Sequence, residues 1–306
     1  MSLLHHSALV KLYGETQLYF WKILRATHFV PDKWYVKAQY CAYMSKRLNI
    51  ERPRSFNEKL QWIKLYDRKQ RYTTLVDKYK VKEYVSEKIG ERYVVPLLGV
   101  WEHFEEIDFD QLPDQFVLKC THDSGSVMIC EDKKSFNIDV AREKLEDGLA
   151  HNYFYRWREW PYKDVKPRII AEKYLDDENG DLEDYKVLCF NGKAAFIQLH
   201  RGRHSNCYTQ DYYNTDWVLQ PFNQKGYYAG SNPEQKPEFL EEMLHLSEVL
   251  AEGIPHIRVD WYYNKGQLYL GELTFFDAAG YAEFVPDEVD LFLGGLIKLP
   301  EKQTEA

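Results

Sequence analysis

A chain of 306 residues, 44% hydrophobic and 29% charged, has the composition of a globular protein and the length to bury a sizeable core. Its net charge of −8 argues against bulk nucleic-acid binding, which depends on Lys and Arg neutralising phosphates. The five cysteines, Cys41, Cys120, Cys130, Cys189 and Cys207, include no Cys-x-x-Cys pair, so neither a zinc site nor a disulfide framework is expected and a reducing, cytoplasmic compartment fits.

The N-terminus shows no apolar run followed by a small-residue cleavage site, and no stretch of about 20 apolar residues is present to span a membrane. Residues 15–48 read as helical, with Tyr19, Phe20, Ile23 and Leu24 on one face and a break at Pro31. Ser55 followed by Glu58 is a capping box that opens a second helix through Tyr66. A third helix is expected from Thr74 to Lys88, ended by Gly90, with Tyr93 to Leu98 extended after it.

The period then changes. Gln115–Cys120 and Val127–Cys130 read as two strands joined by the small-residue turn Thr121–Ser126. Phe136–Tyr155 reads as a helix and Arg168–Leu175 as a strand entering a polar loop, 176–184. Tyr185–Phe190 and Lys193–Leu199 form a hairpin across Asn191-Gly192, a strong turn signal. Pro237–Glu252 is an amphipathic helix, with Phe239, Leu240, Met243, Leu246 and Leu250 at helical spacing. Ile257–Tyr263 and Gln267–Phe275 are strands around Asn264-Lys265-Gly266, and the short apolar run Leu291–Ile297 is expected to pack on the core. Elements mixed without regular βαβ alternation, and rich in hairpins late in the chain, point to an α+β fold with mainly antiparallel sheets.

Several residues can carry chemistry. With a three-residue loop at 264–266, Asp260 faces Leu270 and Arg258 faces Glu272, so Asp260 and Glu272 are diagonal neighbours on one face, roughly 7–8 Å apart and able to converge on one cation. A two-residue turn would put them on opposite faces, and the plain alternative is an Arg258–Glu272 surface pair. Lys119 ends a strand before a small-residue loop whose backbone N–H groups can approach phosphate. Glu172 to Leu175 can offer backbone groups to a purine edge, and Lys186 is a further cation; a strand end and a solvated lysine are the bland alternatives. In His200-Arg201-Gly202-Arg203-His204, Gly202 argues against a helical metal site, and Arg201 or Arg203 suits a carboxylate or phosphate. Asp108-Phe109-Asp110 has the form of a glycosyltransferase metal motif, but it lies in a polar turn and reads better as chance.

Taken in order, these stretches resemble the TupA-like branch of the ATP-grasp superfamily, named for teichuronopeptide synthesis. The residues that carry the resemblance are Arg54–Trp62, Asp77-Lys78-Tyr79 with Lys82 and Tyr84-Val85, Leu112 through Lys119, Arg168–Leu175, Asp184-Tyr185-Lys186, Phe190–Lys193, Val259-Asp260-Trp261 and Gly271–Phe275. The resemblance implies an ATP-grasp fold in which two α+β subdomains hold ATP. It divides the chain into an N-terminal helical region (1–90), a lid subdomain (91–175) and a C-terminal subdomain with a metal site (176–306). Lys119, Lys186 and Lys82 would lie near the nucleotide, with His122, Ser124 and Gly125 in the phosphate loop. Glu172, Lys173, Tyr174 and Leu175 would form the adenine hinge, and Asp260, Glu272 and Thr274 would hold Mg2+. Two positions depart from the pattern: Thr274 replaces an asparagine, and Asp123 replaces a glycine and adds negative charge to the loop.

The activity implied is a carboxylate–amine ligase that makes an acyl phosphate and then an amide. Lys186, Arg258 and Arg203 would be catalytic. The substrates would be an anionic sugar or polysaccharide carboxylate and an amino-acid amine, in bacterial surface (capsule) polysaccharide synthesis. Tyr153–Tyr162, with Arg156, Trp157, Arg158 and Trp160, or the tyrosine-rich Cys207–Tyr228, could cover a sugar; core packing competes for both. A glycosyltransferase, a non-catalytic carbohydrate-binding protein, an ATP-grasp kinase and a homodimeric state stay open.

Overall fold

A computed structural model describes residues 29–175, 182–202, 208–230 and 233–302. The first part of the helix expected over 15–48, most of the 176–184 loop, and Arg203, His204 and Cys207 lie outside the described residues.

Four helices lead the chain: α1 (Asp32–Met44), α2 (Phe56–Tyr66), α3 (Arg71–Val76) and α4 (Lys80–Ile89). The capping box forms as expected, with Glu58 N–H donating to Ser55 Oγ at 3.3 Å and Ser55 N–H to Glu58 Oε2 at 3.2 Å. The single helix expected from Thr74 to Lys88 is instead two. Asp77 ends the first and turns its carboxylate onto the N–H groups of Tyr79 and Lys80, starting the second.

The first sheet, in the stretch expected to form the lid, contains β1 (Leu97–Trp101), β2 (Phe116–Cys120), β3 (Val127–Cys130) and β4 (Ile169–Lys173), antiparallel in the order β1-β4-β2-β3. Helix α5 (Ile138–Ala150) backs it and the short α6 (Phe154–Trp157) follows, so the helix expected over 136–155 is also two pieces, capped at Asn137. The second half contains β5 (Asp184–Phe190), β6 (Lys193–Arg201), β7 (Thr209–Asn214), β8 (Asn223–Gln224), α7 (Leu240–Leu250), β9 (His256–Asn264), β10 (Gln267–Thr274), β11 (Phe284–Val285) and α8 (Glu288–Leu296). Five of these strands form an antiparallel sheet in the order β10-β9-β5-β6-β7, and β8 pairs with β11. The architecture is α+β with antiparallel sheets, as expected from the pattern of hairpins.

Two apolar cores result. Phe116, Leu118, Leu145, Ile169 and Ala171 fill the lid core between its sheet and α5. The larger core joins the N-terminal helices to the second sheet, with Phe56, Leu60, Tyr72 and Val85 packed in the same cluster as Val187, Val259, Trp261 and Leu273. The helices therefore have no separate core and act as a foundation for the second sheet. Leu293 and Ile297 bury α8 in this core, in line with expectation, while Leu291 and Phe292 face outward. Gly294 permits the closest approach: a Cβ there would lie 2.3 Å from the Arg54 carbonyl oxygen.

A polar stripe on α2 ties this foundation to the chain beyond β10. Asn57, Gln61 and Lys64, spaced along one helical face, are buried and donate to the carbonyls of Ala282 (2.7 Å), Gly280 (2.7 Å) and Ala279 (2.7 Å). They hold a turn in which Ala278, Ala279 and Gly280 all have positive φ, costly for the two alanines.

Candidate active site

The lid sheet places Glu172 of β4 beside Lys119 of β2. Val117 is the backbone partner of Glu172, and Lys119 lies two residues along on the same face. Lys119 Nζ sits 2.6 Å from Glu172 Oε2, and Lys82 of α4 sits 2.5 Å from Glu172 Oε1 while also donating to the Val95 carbonyl at 2.8 Å. Burial alone would raise the Glu172 pKa, but the two ammonium groups overcome it and hold the carboxyl at about 2. Burial lowers the Lys82 pKa, partly offset by Glu172. This cluster has two cations and one anion.

The loop after Lys119 folds back on itself. The Asp123 carboxylate accepts from Ser126 Oγ, and its carbonyl accepts from Lys78 Nζ. The extra charge is thus buried and tied to its own loop, while Ser124 and Gly125 are exposed at the rim. Gly125 adopts φ +119°, a conformation that favours glycine. His122, expected to bind nucleotide, turns away: its Nε2 lies 3.0 Å from the Gly148 carbonyl and 3.2 Å from that of His151, at the end of α5.

A cavity of about 220 Å³ lies between the sheets. Val95, Val117 and Ile129 give it an apolar lid wall, and Lys119, Glu172, Lys173, Tyr174 and Leu175 line one side. Asp184 and Tyr262 of the second sheet close the other. The backbone N–H of Lys173 is already engaged by Pro96 O at 2.9 Å.

The second cluster lies on the polar face of the five-stranded sheet, where the hairpin register differs from the expected one. Lys265 and Gly266 both have positive φ and make a two-residue turn, pairing Asn264 with Gln267 and Trp261 with Leu270. That turn alone would put Asp260 and Glu272 on opposite faces. A bulge at Gly271 slips the register back, so that Glu272 pairs directly with Asp260, and Thr274, rather than Glu272, faces Arg258. The two carboxylates share a face because turn and bulge cancel.

Lys186 of β5 pairs with Asp260 in the backbone and bonds Asp260 Oδ2 at 2.5 Å and Asp184 Oδ2 at 2.7 Å. Arg258 engages Asp260 bidentately, with Nε to Oδ1 and Nη2 to Oδ2, both at 2.7 Å. Its Nη1 donates to Asp277, and its Nη2 also reaches Glu272 Oε1 and Thr274 Oγ1, each at 3.3 Å. Thr274 Oγ1 in turn donates to Glu272 Oε1 at 2.8 Å. Burial would raise the Asp260 pKa, but Arg258 and then Lys186 bring it down to about 2. Burial works against the Arg258 charge too, yet Asp260 and Asp277 lift its pKa well above the ordinary value. Glu272 is the open member, with 40% of its side chain exposed.

Asp184, Asp260, Glu272 and Asp277 against Lys186 and Arg258 make four formal negative charges and two positive. The excess suits a divalent cation. Asp260 uses three of about four acceptor positions and Glu272 is open, an oxygen donor set that fits Mg2+ held by one or two carboxylates with phosphate oxygens completing its shell. Among the described residues no group of three or more His, Cys, Asp or Glu converges as a complete metal cage.

The family model described as TupA-like ATPgrasp matches residues 58–298. The chain belongs to the TupA-like ATP-grasp family. That places it among ATP-grasp proteins, an α+β group that its antiparallel sheets fit. Among solved structures it is similar to the D-alanine–D-alanine ligase from Bacillus anthracis complexed with ATP, at 17% identity and a TM-score of 0.39, over 66% of this chain and 54% of that one. It is similar to the ATP-grasp ligase PsnB with a precursor variant, Mg and ADP (10% identity, TM-score 0.41, 74% and 58%) and to a RimK domain ATP-grasp protein from Sphaerobacter thermophilus (16%, 0.40, 74% and 67%). The chain thus spans about half the length of the first of these. No curated protein matches it.

Other sequence candidates fall outside the ATP-grasp clusters. Asp108 caps its own turn through the Asp110 N–H and Gln111, which is a structural use of the Asp-x-Asp form. Arg158 is buried, 3.2 Å from Asp32 and stacked on Tyr35 at 4.1 Å, so it supports the fold rather than covering a sugar. Arg201 pairs with Asp211 at 3.0 Å. Asp277, which the sequence pattern does not single out, carries one weak signal, an acidic residue three positions past the end of β10. No described helix is long and apolar enough to cross a membrane.

Proposed function

We propose that this ATP-grasp protein is an ATP-dependent carboxylate–amine ligase, joining a uronic-acid carboxylate to an amino-acid amine in cytoplasmic steps of bacterial surface polysaccharide synthesis. The observation that carries the ligase reading is the pairing of two unlike clusters around one cavity. The lid cluster has an excess of positive charge and the second-sheet cluster an excess of negative charge. Family membership supports ATP, and the resemblance to teichuronopeptide synthesis supports the uronate and the amino acid.

Adenine takes the apolar part of the cavity, with residues 172–175 along its edge. Lys119 and Lys82 meet the phosphates, the Gly125 loop covers them, and Glu172 holds both lysines in place. Glu272 and Asp260 would hold Mg2+, which would supply neutralisation of phosphate charge, and Thr274 orients Glu272 through its hydroxyl. Lys186 supplies charge where the γ-phosphate is transferred to the substrate carboxylate. An amine then attacks the acyl phosphate carbon, phosphate leaves, and an amide remains. Arg258 has all three nitrogens engaged, so its part is to position Asp260 and Glu272 rather than to steady the acyl phosphate.

The test is ADP release with D-glucuronate or D-galacturonate and a panel of amino acids. Mg-dependent release that needs both substrates, and is lost in Glu272→Gln, is expected. Sugar transfer from a nucleotide sugar without ATP consumption would overturn the ligase reading.

A further inference from the structure

A second cavity opens at the β7 edge of the five-stranded sheet. Its volume is about 350 Å³, and it lies between β7, the segment 219–229 and Val285 of β11. The segment is fastened to β7 at both ends: the Gln220 N–H donates to the Tyr212 carbonyl at 2.7 Å, and the Gln210 N–H to the Tyr228 carbonyl at 2.9 Å. The walls are of two kinds. Leu219, Phe222 and Tyr227 are apolar, while Gln220, Asn223 and Gln224 are amides that present donors and acceptors together.

The aromatic walls are set by packing. The Phe222 ring lies 5.0 Å from Tyr212 and 5.4 Å from Phe196, and the Tyr227 ring meets Tyr208 edge-on at 5.7 Å. Of the tyrosine-rich stretch, Tyr212 and Tyr213 are buried, whereas Tyr227 is 40% exposed at the cavity. The charged residues there are already neutralised. Asp211 accepts from Arg201 at 3.0 Å and from the Gly230 N–H at 3.0 Å, and Lys225 pairs with Glu283 at 2.8 Å. Gln220 gives its Nε2 to the Val218 carbonyl at 2.7 Å; among the described residues its Oε1 and the Tyr227 hydroxyl have no hydrogen-bond partner.

The cavity is also connected to the catalytic cluster. Gln224 Nε2 donates to Asp277 Oδ2 at 2.6 Å, and Asp277 is held by Arg258. Tyr212, another wall residue, accepts from Gln198 Nε2 at 2.8 Å, and Gln198 is the backbone partner of Lys186. Two buried side chains, Gln224 and Gln198, thus join the cavity to the cluster.

We propose that this cavity is a subsite for a neutral, hydroxyl-rich pyranose unit, the sugar that adjoins the reacting uronate in the acceptor. A pyranose has flat C–H faces that pack on aromatic rings, and a rim of hydroxyls that amides and a phenol can both donate to and accept from. An anion would find no free cation, and a wholly apolar ligand would cover the amides without pairing them. An acceptor anchored here runs from β7 toward the carboxylates of β9 and β10, so the enzyme selects a saccharide chain over a free uronate. The place of this sugar in the acceptor rests on the ligase reading; its binding does not.

The test is saturation-transfer NMR on the full chain with methyl β-D-glucopyranoside and methyl β-D-galactopyranoside, against D-sorbitol, which has hydroxyls but no ring face. Wild type should give saturable transfer to at least one glycoside, with or without ATP and Mg2+, and none to sorbitol. The apparent affinity should fall more than 10-fold in Tyr227→Ala and at least 3-fold in Gln220→Ala. No saturable transfer in wild type, equal transfer to sorbitol, or undiminished affinity in both variants overturns the proposal. Glycoside binding that obeys these expectations in a protein that releases no ADP with any uronate and amino acid would sink the ligase reading alone.

Discussion

The lid and the second sheet solve the same electrostatic problem with opposite signs. In the lid, one carboxylate, Glu172, holds two lysines against each other; in the second sheet, two cations, Lys186 and Arg258, hold four carboxylates. Each cluster is buried and hydrogen-bonded, so neither charge set can be removed cheaply. The surplus differs, however. The lid is left ready for an anion and the sheet for a cation, and a Mg-bound polyphosphate between them answers both.

Arg258→Met breaks the comparison most severely. It strips Asp260 and Asp277 of their main counter-ion and should cost about 3–5 kcal/mol, read as a lower urea midpoint. A variant within 1 kcal/mol of wild type would show that the sheet cluster does not depend on Arg258. Glu272→Gln is the complementary change. Its side chain is partly exposed, so stability should hold while turnover falls roughly 10²–10³-fold, about 3–4 kcal/mol in the transition state. Unchanged Mg-dependent turnover would remove Glu272 from the metal site.

Acid should expose both clusters together. Glu172 and Asp260 each have a folded pKa of about 2, below their unfolded values near 4. Their stabilisation is present above pH 4 and is lost as pH falls toward 2, about 3 kcal/mol for each. Glu159 behaves in the opposite sense. Its folded pKa, about 7, is above the unfolded value, so the protein loses stability as pH rises from about 4.5 through 7. Glu159→Gln should flatten that neutral limb and leave the acid limb unchanged in denaturation followed across pH; a neutral limb identical to wild type would contradict the burial of the Glu159 carboxyl.

The smallest effect concerns the bulge. In Gly271→Ala the new Cβ would lie 2.8 Å from the Tyr262 ring and 3.3 Å from the Asp260 carbonyl oxygen. A loss of about 1 kcal/mol is expected, with a larger loss of Mg affinity, because the bulge sets Glu272 opposite Asp260. Retention of Mg affinity would mean that the register is fixed elsewhere.

Local signals were legible where they were self-contained. Ser55 with Glu58 and the Asn191-Gly192 turn act over a few residues, and both form as the sequence implies. The shared face of Asp260 and Glu272 was also legible, but through a three-residue loop that does not exist. A bulge leaves little trace beyond a glycine within a strand, and here it offset a turn that was one residue shorter. Asp77 broke a helix pattern because its side chain satisfies the next helix better than the backbone continues the last. The stripe Asn57, Gln61 and Lys64 looks like a solvated face, since its partners at Ala279, Gly280 and Ala282 lie more than 200 residues away. Strands β7, β8 and β11 were missed for a related reason: polar residues such as Gln210 and Gln224 point into a polar site, so no alternation of apolar residues marks them.

The most direct test is the unfolding midpoint with ATP, with and without Mg2+, in wild type and in Lys119→Met. A ligand that binds only the native state raises the midpoint with its concentration. A rise that needs Mg2+ in wild type and is absent in Lys119→Met is predicted, because the nucleotide must join a positive lid to a negative sheet. A rise that is independent of Mg2+, or that persists undiminished in Lys119→Met, would contradict the account.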